Sequence, residues 1–274
     1  MRTLGSMLIV ILTLGLTAGL GAVLLGGLVT ERPGGEAMRL VVFDGVAVPG
    51  GPPPQIRAML LDAGTGQPVV SARLGVRLES GWRTWMWTNL AGAAARPGPS
   101  GLGFGVHPFG VGLPEVSPRL DVYGTAAVWV WPADQPVLWI DAAGVASPGA
   151  SGIAAEAVRA LKPLAIDRLP VYLVVAEAGE FEAVRRRLRE SGAPLGPTFW
   201  VKPGDLAARL AALRLVWPRI EAAILCPGPL ADAAARVKVP VLRVLRAGAP
   251  ATEGDAALDW PGVEPRVRSL RGGR

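Results

Sequence analysis

Asp141 is the side chain whose setting most suggests chemistry. It directly follows an apolar run at residues 137–140 (VLWI) and precedes small residues at 142–144. The chain has one histidine, His107, and one cysteine, Cys226, so a zinc site built from Cys and His is unsupported. A Ser-His-Asp mechanism would need His107, which lies in a Gly- and Pro-rich stretch with no nucleophile motif beside it. The candidate for a chemical role is therefore the carboxylate of Asp141, at the end of a predicted strand.

The segment that carries Asp141 alternates between strands and helices. Continuous apolar strands separated by amphipathic helices are typical of a parallel sheet covered on both faces. Residues 136–246 are therefore predicted to form a doubly wound α/β domain, in which ligands bind at the carboxyl ends of the strands. The strands are expected at 137–140, 171–176, 198–201, 220–226 and 239–245, and the helices at 149–164, 179–192 and 204–217.

Residues 38–132 have a different pattern, in which short apolar segments are separated by turns. Leu74, Val76 and Leu78 alternate with charged or small residues, as in a half-buried antiparallel strand. Several such strands with turn signals between them predict an all-β sandwich. Residues 96–118 are rich in Gly and Pro and are expected to form a long loop.

Three tryptophans of this region, Trp82, Trp85 and Trp87, allow two interpretations. Large aromatic side chains of a β-sandwich usually fill its core or a junction between domains, and this is the expected role. The alternative is a platform that binds sugar, which requires exposed rings on one face.

Part of the same region resembles a bacterial immunoglobulin-like domain. The similarity begins near residue 50, and its clearest phrases are DAGTGQPVVSA at 62–72 and TNLAGAA at 88–94. The resemblance implies an immunoglobulin-like sandwich that acts as a spacer or adhesion module and has no chemistry of its own.

Residues 131–246 resemble the haloacid-dehalogenase-like phosphohydrolase superfamily, closest to a branch related to lipin-type phosphatidate phosphatases. The similar phrases are WPADQPVLWIDAAG at 131–144, LPVYLVVAEAGEFEAVRRRLRESGAPLGP at 169–197 and LVWPRIEAAILCPGPLADAAARVKVPV at 215–241. The resemblance implies that Asp141 stands where the family has its phosphorylated nucleophile. It also implies that an active member would use Mg²⁺.

The other motif positions of that family are not matched. Ala143 stands in place of the general acid/base and Val145 in place of a threonine. Residues 174–176 (VVA) lack the hydroxyl that follows the second strand, and residues 226–228 (CPG) lack the metal-binding aspartate. A missing general acid/base alone costs about 10²–10⁴ in rate, and Mg²⁺ needs several oxygen ligands. We therefore interpret Asp141 as the remnant of a nucleophile and expect no cofactor.

The enzyme alternative is a divergent Mg²⁺-dependent phosphohydrolase that still uses Asp141. It requires further carboxylates, such as Glu177 or Asp232, to converge on that residue. Lys202 is the available substitute for the lysine that holds the phosphoryl oxygens in the family.

The N-terminal residues 7–29 are uncharged and long enough to cross a hydrocarbon core of about 30 Å. We expect an uncleaved transmembrane anchor within residues 1–32, with a cleaved signal as the alternative. Arg2 precedes the segment, so the positive-inside rule places the N-terminus in the cytoplasm. The sequence thus predicts a single-pass protein of a bacterial cell membrane, with the bulk of the chain extracytoplasmic.

The net charge of +6 comes mostly from arginines, which cluster at 185–189 and in the tail, residues 247–274. No aromatic-interleaved motif accompanies them, so nucleic acid is not an expected partner. The tail lacks periodicity, and Trp260 is the residue expected to attach part of it to the α/β domain.

These observations predict a membrane-anchored extracytoplasmic protein of the cell envelope. Its phosphatase-like domain is expected to be a pseudoenzyme that serves binding or scaffolding, with a protein, lipid or glycan partner. Two alternatives remain: the divergent phosphohydrolase that uses Asp141, and a structural or adhesion module of the envelope.

Overall fold

The structure is a computed structural model that describes residues 38–113, 122–146, 151–244 and 258–271. These residues form a mixed α/β fold with three β-sheets, one of which is parallel. The predicted anchor at residues 7–29 lies outside the described residues. Within them, no helix is both long and apolar enough to span a bilayer.

The first part of the described chain consists of eight strands in two sheets, which we call the two-sheet unit (residues 38–130). One sheet has the order β1–β3–β6 and the other the order β2–β8–β7–β4–β5. All neighbouring strands are antiparallel except β2 and β8, which are parallel. The strands are β1 (Met38–Phe43), β2 (Gly45–Ala47), β3 (Gln55–Asp62), β4 (Arg73–Leu78), β5 (Arg83–Trp87), β6 (Ala93–Pro97), β7 (Gly105–Gly112) and β8 (Tyr123–Val130).

Alternating apolar residues of both sheets meet in one core. Leu74, Val76 and Leu78 are buried on β4, as their spacing predicts, and they share this core with Ile56 and Leu60 of β3. The charged and small residues between them face outward, so burial follows the two-residue period of the strand.

The prediction of a long loop at residues 96–118 is wrong, because Gly105 to Gly112 form the strand β7. Glycine is usually depleted in strands because it lacks a side chain to pack. Here Phe109 and Val111 supply the inward-facing apolar positions, and the ring of Tyr123 covers Gly110 from the neighbouring strand. A side chain from the adjacent strand therefore provides the packing that the glycines of β7 cannot provide.

The second part, which we call the α/β unit (residues 137–271), is built on the parallel sheet, whose order is β11–β10–β9–β12–β13. Each predicted strand is present, although the last is shorter than expected. The strands are β9 (Val137–Asp141), β10 (Leu169–Val175), β11 (Thr198–Val201), β12 (Ile220–Leu225) and β13 (Val241–Arg243). The helices are α1 (Ala142–Val145), α2 (Ser151–Leu164), α3 (Ala178–Glu190), α4 (Leu206–Val216), α5 (Pro229–Arg236) and α6 (Trp260–Arg271).

Helices cover both faces of the parallel sheet. Leu138 and Ile140 of β9 belong to a core formed with α1, α2, α3 and α6. Val137 and Trp139 point to the opposite face, where α4 and α5 supply the apolar side chains. Every residue of β9 is buried, which explains why its sequence reads as a continuous apolar run.

The tail is more ordered than its sequence predicts, because residues 260–271 form α6. Trp260, Val263 and Val267 are buried in the α/β unit, so attachment through Trp260 is confirmed. The carboxylate of Asp259 accepts a hydrogen bond from the Gly262 amide at 3.0 Å and caps the first turn. The spacing of the three buried residues is helical, but prolines at 261 and 265 obscure it.

Asp44 joins the two units through buried backbone hydrogen bonds. One carboxylate oxygen accepts from the Ala127 amide of β8 at 2.9 Å. The other accepts from the Thr198 amide at the start of β11 at 2.8 Å. Asp44 is only 7% exposed, so these bonds form with little competition from water.

Arg185 of α3 extends from the α/β unit across the same junction to the two-sheet unit. Its guanidinium donates to the Val42 carbonyl at 2.8 Å and to the carbonyl of Thr125. Beside it, the ring of Phe43 stacks on Trp200 with centroids 5.4 Å apart and packs against Phe181 at 5.3 Å. The junction therefore combines buried polar contacts with an aromatic cluster.

Replacing Asp44 with alanine removes the acceptor of the part-buried Ala127 amide and of the buried Thr198 amide. We expect Asp44→Ala to lower the free energy of unfolding by about 2–4 kcal/mol, since each unsatisfied buried group costs about 1–3 kcal/mol. Urea unfolding of the purified chain measures this. The control is Asp205→Ala, an exposed aspartate without a side-chain cap hydrogen bond. Equal unfolding midpoints for the two variants would contradict the role given to Asp44.

Candidate functional site at the end of the central strand

The parallel sheet places Asp141 at the position where such folds bind ligands. The chain runs from β9 to β10 and β11 on one side, then returns to place β12 and β13 on the other. Strand order therefore reverses between β9 and β12. Ligands of open α/β sheets bind in the crevice that this reversal creates outside the carboxyl ends of the strands. Asp141 ends β9 and Cys226 directly follows β12, so both lie at that crevice.

The Asp141 carboxylate has a structural contact within its own turn. Its Oδ1 atom accepts a hydrogen bond from the Ala143 amide at 2.9 Å, and Asp141 is the N-cap of α1. An aspartate at this position satisfies an amide that the first turn of a helix leaves unpaired. Asp141 is 8% exposed, so the carboxylate is also largely withdrawn from solvent.

Small and apolar groups pack beside the turn that follows Asp141. A Cβ atom on Gly144 would lie 3.2 Å from the Cys226 Sγ atom and 3.3 Å from Cζ2 of Trp260. At these distances a side chain on Gly144 would require its neighbours to shift, so the turn after β9 is packed directly against the end of β12 and against α6. Ala142 and Val145 are fully buried in the same core.

The positions that differ from the phosphohydrolase motif fall within this packed region. Val145, at the family's threonine position, is fully buried, and Val174 of β10 is 2% exposed. Cys226 is 6% exposed and also belongs to the core. The region that would hold phosphate in the family is therefore lined here by side chains that stabilise the fold.

The other predicted site residues are exposed and follow other elements of the α/β unit. Asp232 lies on α5, has a side chain 58% exposed and pairs with Arg243 at 3.6 Å. Glu177 precedes α3 and Lys202 follows β11, and both are exposed. Among the described residues, no group of three or more His, Cys, Asp or Glu side chains is arranged to hold a metal ion.

His107 lies on β7 rather than in a loop. Its Nε2 atom is 2.8 Å from the Gly103 carbonyl oxygen, so the imidazole stabilises the start of the strand. The expectation that His107 is a loop residue is therefore wrong.

The tryptophans divide between the two interpretations offered by the sequence. Trp82 packs against the core of the two-sheet unit, as expected. Trp85 is 42% exposed and Trp87 is 63% exposed, so a core or junction role is wrong for both. Both lie on β5 at alternate positions and share its outward face. The two-residue spacing predicted the shared face, but the sequence could not show which face is covered.

The sequence analysis missed the contact of Trp260 with Gly144. A glycine three residues after the candidate aspartate and a lone tryptophan in a basic tail were the only available signals. Neither signal identifies the other, because the contact joins residues more than a hundred positions apart and depends on the unrecognised helix α6.

Comparisons with known proteins give little further information. No family model matches the sequence, and no curated protein matches it. A carbohydrate acetylesterase from Xanthomonas citri is similar over 88% of this chain and 76% of its own, with 9% identity and a TM-score of 0.33. A sialyltransferase from Photobacterium damsela matches over 74% and 42%, with 8% identity and a TM-score of 0.22. A ferredoxin-NADP+ reductase from Plasmodium falciparum matches over 74% and 94%, with 12% identity and a TM-score of 0.21. Similarities this low support no statement about fold or activity.

The packing of Trp260 against the site can be tested by removing its ring. Trp260 is 2% exposed, and truncating a buried tryptophan to alanine typically costs about 3–5 kcal/mol. We expect Trp260→Ala to lower the free energy of unfolding by this amount in a urea titration. The control is Leu215→Ala on α4, where the side chain is 86% exposed and the expected change is within about 0.5 kcal/mol. A change that small for Trp260→Ala would mean that the ring does not stabilise the turn after β9.

Proposed function

We propose that this protein is a membrane-anchored extracytoplasmic protein whose α/β unit is a catalytically silent relative of the haloacid-dehalogenase-like phosphohydrolases. In this proposal residues 7–29 form the anchor and residues 38–132 an immunoglobulin-like spacer. Residues 136–246 form a doubly wound domain that binds or scaffolds a partner instead of transferring phosphate. Residues 247–274 extend this domain.

The observation that carries the silent assignment is the packing of the turn after β9. Phosphoryl transfer needs space for a phosphate and for Mg²⁺ beside the nucleophile, and oxygen ligands to hold them. Next to Asp141 the structure has Gly144 in close contact with Cys226 and Trp260. The Oδ1 atom of Asp141 accepts a hydrogen bond from the Ala143 amide. These contacts support a structural role for Asp141.

Strand order supports the two fold assignments within this proposal. The order β11–β10–β9–β12–β13, with helices on both faces, fits a doubly wound unit that has its switch point at β9 and β12. In the two-sheet unit, the first, third and sixth strands form one sheet and the remaining strands the other. This separation resembles the distribution of strands between the two sheets of immunoglobulin domains.

The enzyme alternative is a Mg²⁺-dependent phosphohydrolase that uses Asp141 with an unusual residue set. The arrangement of Asp232 disfavours it, because that carboxylate pairs with Arg243. The adhesion alternative is favoured by one observation, the shared exposed face of Trp85 and Trp87. It is compatible with a silent α/β unit.

Two substitutions of Asp141 separate a capping role from a catalytic role. Asparagine caps helices about as well as aspartate, whereas alanine costs about 0.5–2 kcal/mol. We therefore expect Asp141→Ala to lower the free energy of unfolding by about 1 kcal/mol and Asp141→Asn to change it by only a few tenths. Urea unfolding of the purified full chain measures both variants.

The same three proteins are then assayed with general phosphate esters in the presence of Mg²⁺. We expect no turnover above background for the unmodified chain. Turnover that is present in the unmodified chain and abolished by Asp141→Asn, at unchanged stability, would establish the enzyme alternative. A nucleophile cannot be replaced by an amide, so the asparagine variant distinguishes the two roles.

A further inference from the structure

The outward face of the sheet β2–β8–β7–β4–β5 carries a row of residues that are in register across four strands. Tyr123 on β8 pairs with Gly112 on β7, Gly112 pairs with Gly75 on β4, and Gly75 pairs with Trp85 on β5. An aromatic residue therefore stands at each end of the row, with two glycines between them. We call this surface the aromatic face.

The aromatic rings lie flat on glycine backbone. A Cβ atom on Gly110 would lie 1.7 Å from the Tyr123 hydroxyl oxygen. One on Gly75 would lie 3.0 Å from Cζ3 of Trp85. A side chain at Gly110 would thus displace the tyrosine ring, and one at Gly75 would press against the tryptophan. The result is a shallow surface across β8, β7, β4 and β5.

Covering strand glycines with aromatic rings is a known way of stabilising a sheet, and it explains the positions of Tyr123 and Trp85. It does not explain Trp87, which lies opposite Arg73 rather than a glycine and is 63% exposed. Nor does it explain the charged residues that alternate with these rings. Both features point to a ligand.

The aromatic face carries three arginines, and Glu79, just after β4, is the carboxylate beside them that acts on Tyr123 together with Arg77. Arg73, Arg77 and Arg83 are exposed on it, and within the described part of the chain none of them forms an ion pair with a carboxylate. Arg77 and Arg83 are directly opposite each other on β4 and β5. Like charges in that relation destabilise a strand pair, so a bound anion would relieve a repulsion that the free protein carries.

One of these arginines is held in place by an aromatic ring. The Arg73 guanidinium carbon lies 3.9 Å from the ring centroid of Trp85. Stacking fixes the plane of the guanidinium, which presents paired donors suited to a carboxylate. Arg96 on β6, a strand of the other sheet, donates to the Trp85 carbonyl at 3.1 Å and steadies the same position.

We propose that the aromatic face binds an anionic polysaccharide, with carboxylates of its sugar units on Arg73, Arg77 and Arg83 and an apolar sugar face on the exposed ring of Trp87. This choice rests on the proposed extracytoplasmic location, where such polymers are encountered. A single-stranded nucleic acid fits less well, because it needs several open rings for successive bases. Trp85 already contacts Gly75 and Arg73, which leaves Trp87 as the most open tryptophan ring of the face.

The test is binding of the purified full chain to immobilised polygalacturonate at low salt, with neutral dextran and single-stranded oligothymidylate as competitors. We expect polygalacturonate binding that weakens as salt is added, because exposed charges are screened. Trp87→Ala and Arg73→Gln are each expected to weaken it about tenfold or more, since hydrogen bonds to charged groups and aromatic contacts contribute on that scale. Both side chains are exposed, so melting temperatures are expected to stay unchanged.

The matched control is Arg186→Gln on α3, which removes an exposed positive charge from the other unit. It is expected to change binding less than twofold. Absence of binding, equal loss in the control, or preference for dextran or oligothymidylate would each overturn the proposal. Because Asp141 takes no part in this experiment, these outcomes leave the assignment of a silent α/β unit untouched. Phosphatase activity would likewise leave the aromatic face unaffected.

Discussion

A single buried carboxylate, Asp44, connects the backbones of both halves of this molecule. It accepts hydrogen bonds from a backbone amide of β8 in one unit and from one at the start of β11 in the other. A buried acceptor that satisfies two separate amides specifies relative position as well as stability, because displacing either unit leaves polar groups unpaired. Arg185 repeats the constraint from the opposite side through the carbonyls of Val42 and Thr125. The two-sheet unit and the α/β unit are therefore fixed relative to each other at this junction.

The proposed function depends on the surroundings of Asp141 at the switch point of the parallel sheet. Phosphoryl transfer is achieved mainly by positioning and by charge stabilisation, so it needs several oxygen and cationic groups around one phosphate. In this chain Asp141 caps a short helix, while Gly144, Cys226 and Trp260 are in contact beside it. The architecture places a carboxylate where such folds act, but its surroundings are those of a packed core.

The parts of the fold that the sequence predicts are those with a strong local period. Leu74, Val76 and Leu78 on β4 and the continuous apolar run of β9 were predicted because burial imposes those patterns directly. β7 was missed because Tyr123 on another strand compensates for its glycines. α6 was missed because prolines at 261 and 265 obscure the spacing of Trp260, Val263 and Val267. Contacts between distant segments, including those of Asp44 and Trp260, leave no local pattern to recognise.

Whether Asp141 can carry a phosphoryl group can be measured on the residue itself. The purified full chain is incubated with acetyl phosphate and Mg²⁺, and peptides that contain Asp141 are analysed by mass spectrometry under conditions that preserve acyl phosphates. The account predicts that these peptides keep their unmodified mass. A phosphoryl group found on Asp141, and lost in the asparagine variant, would contradict it.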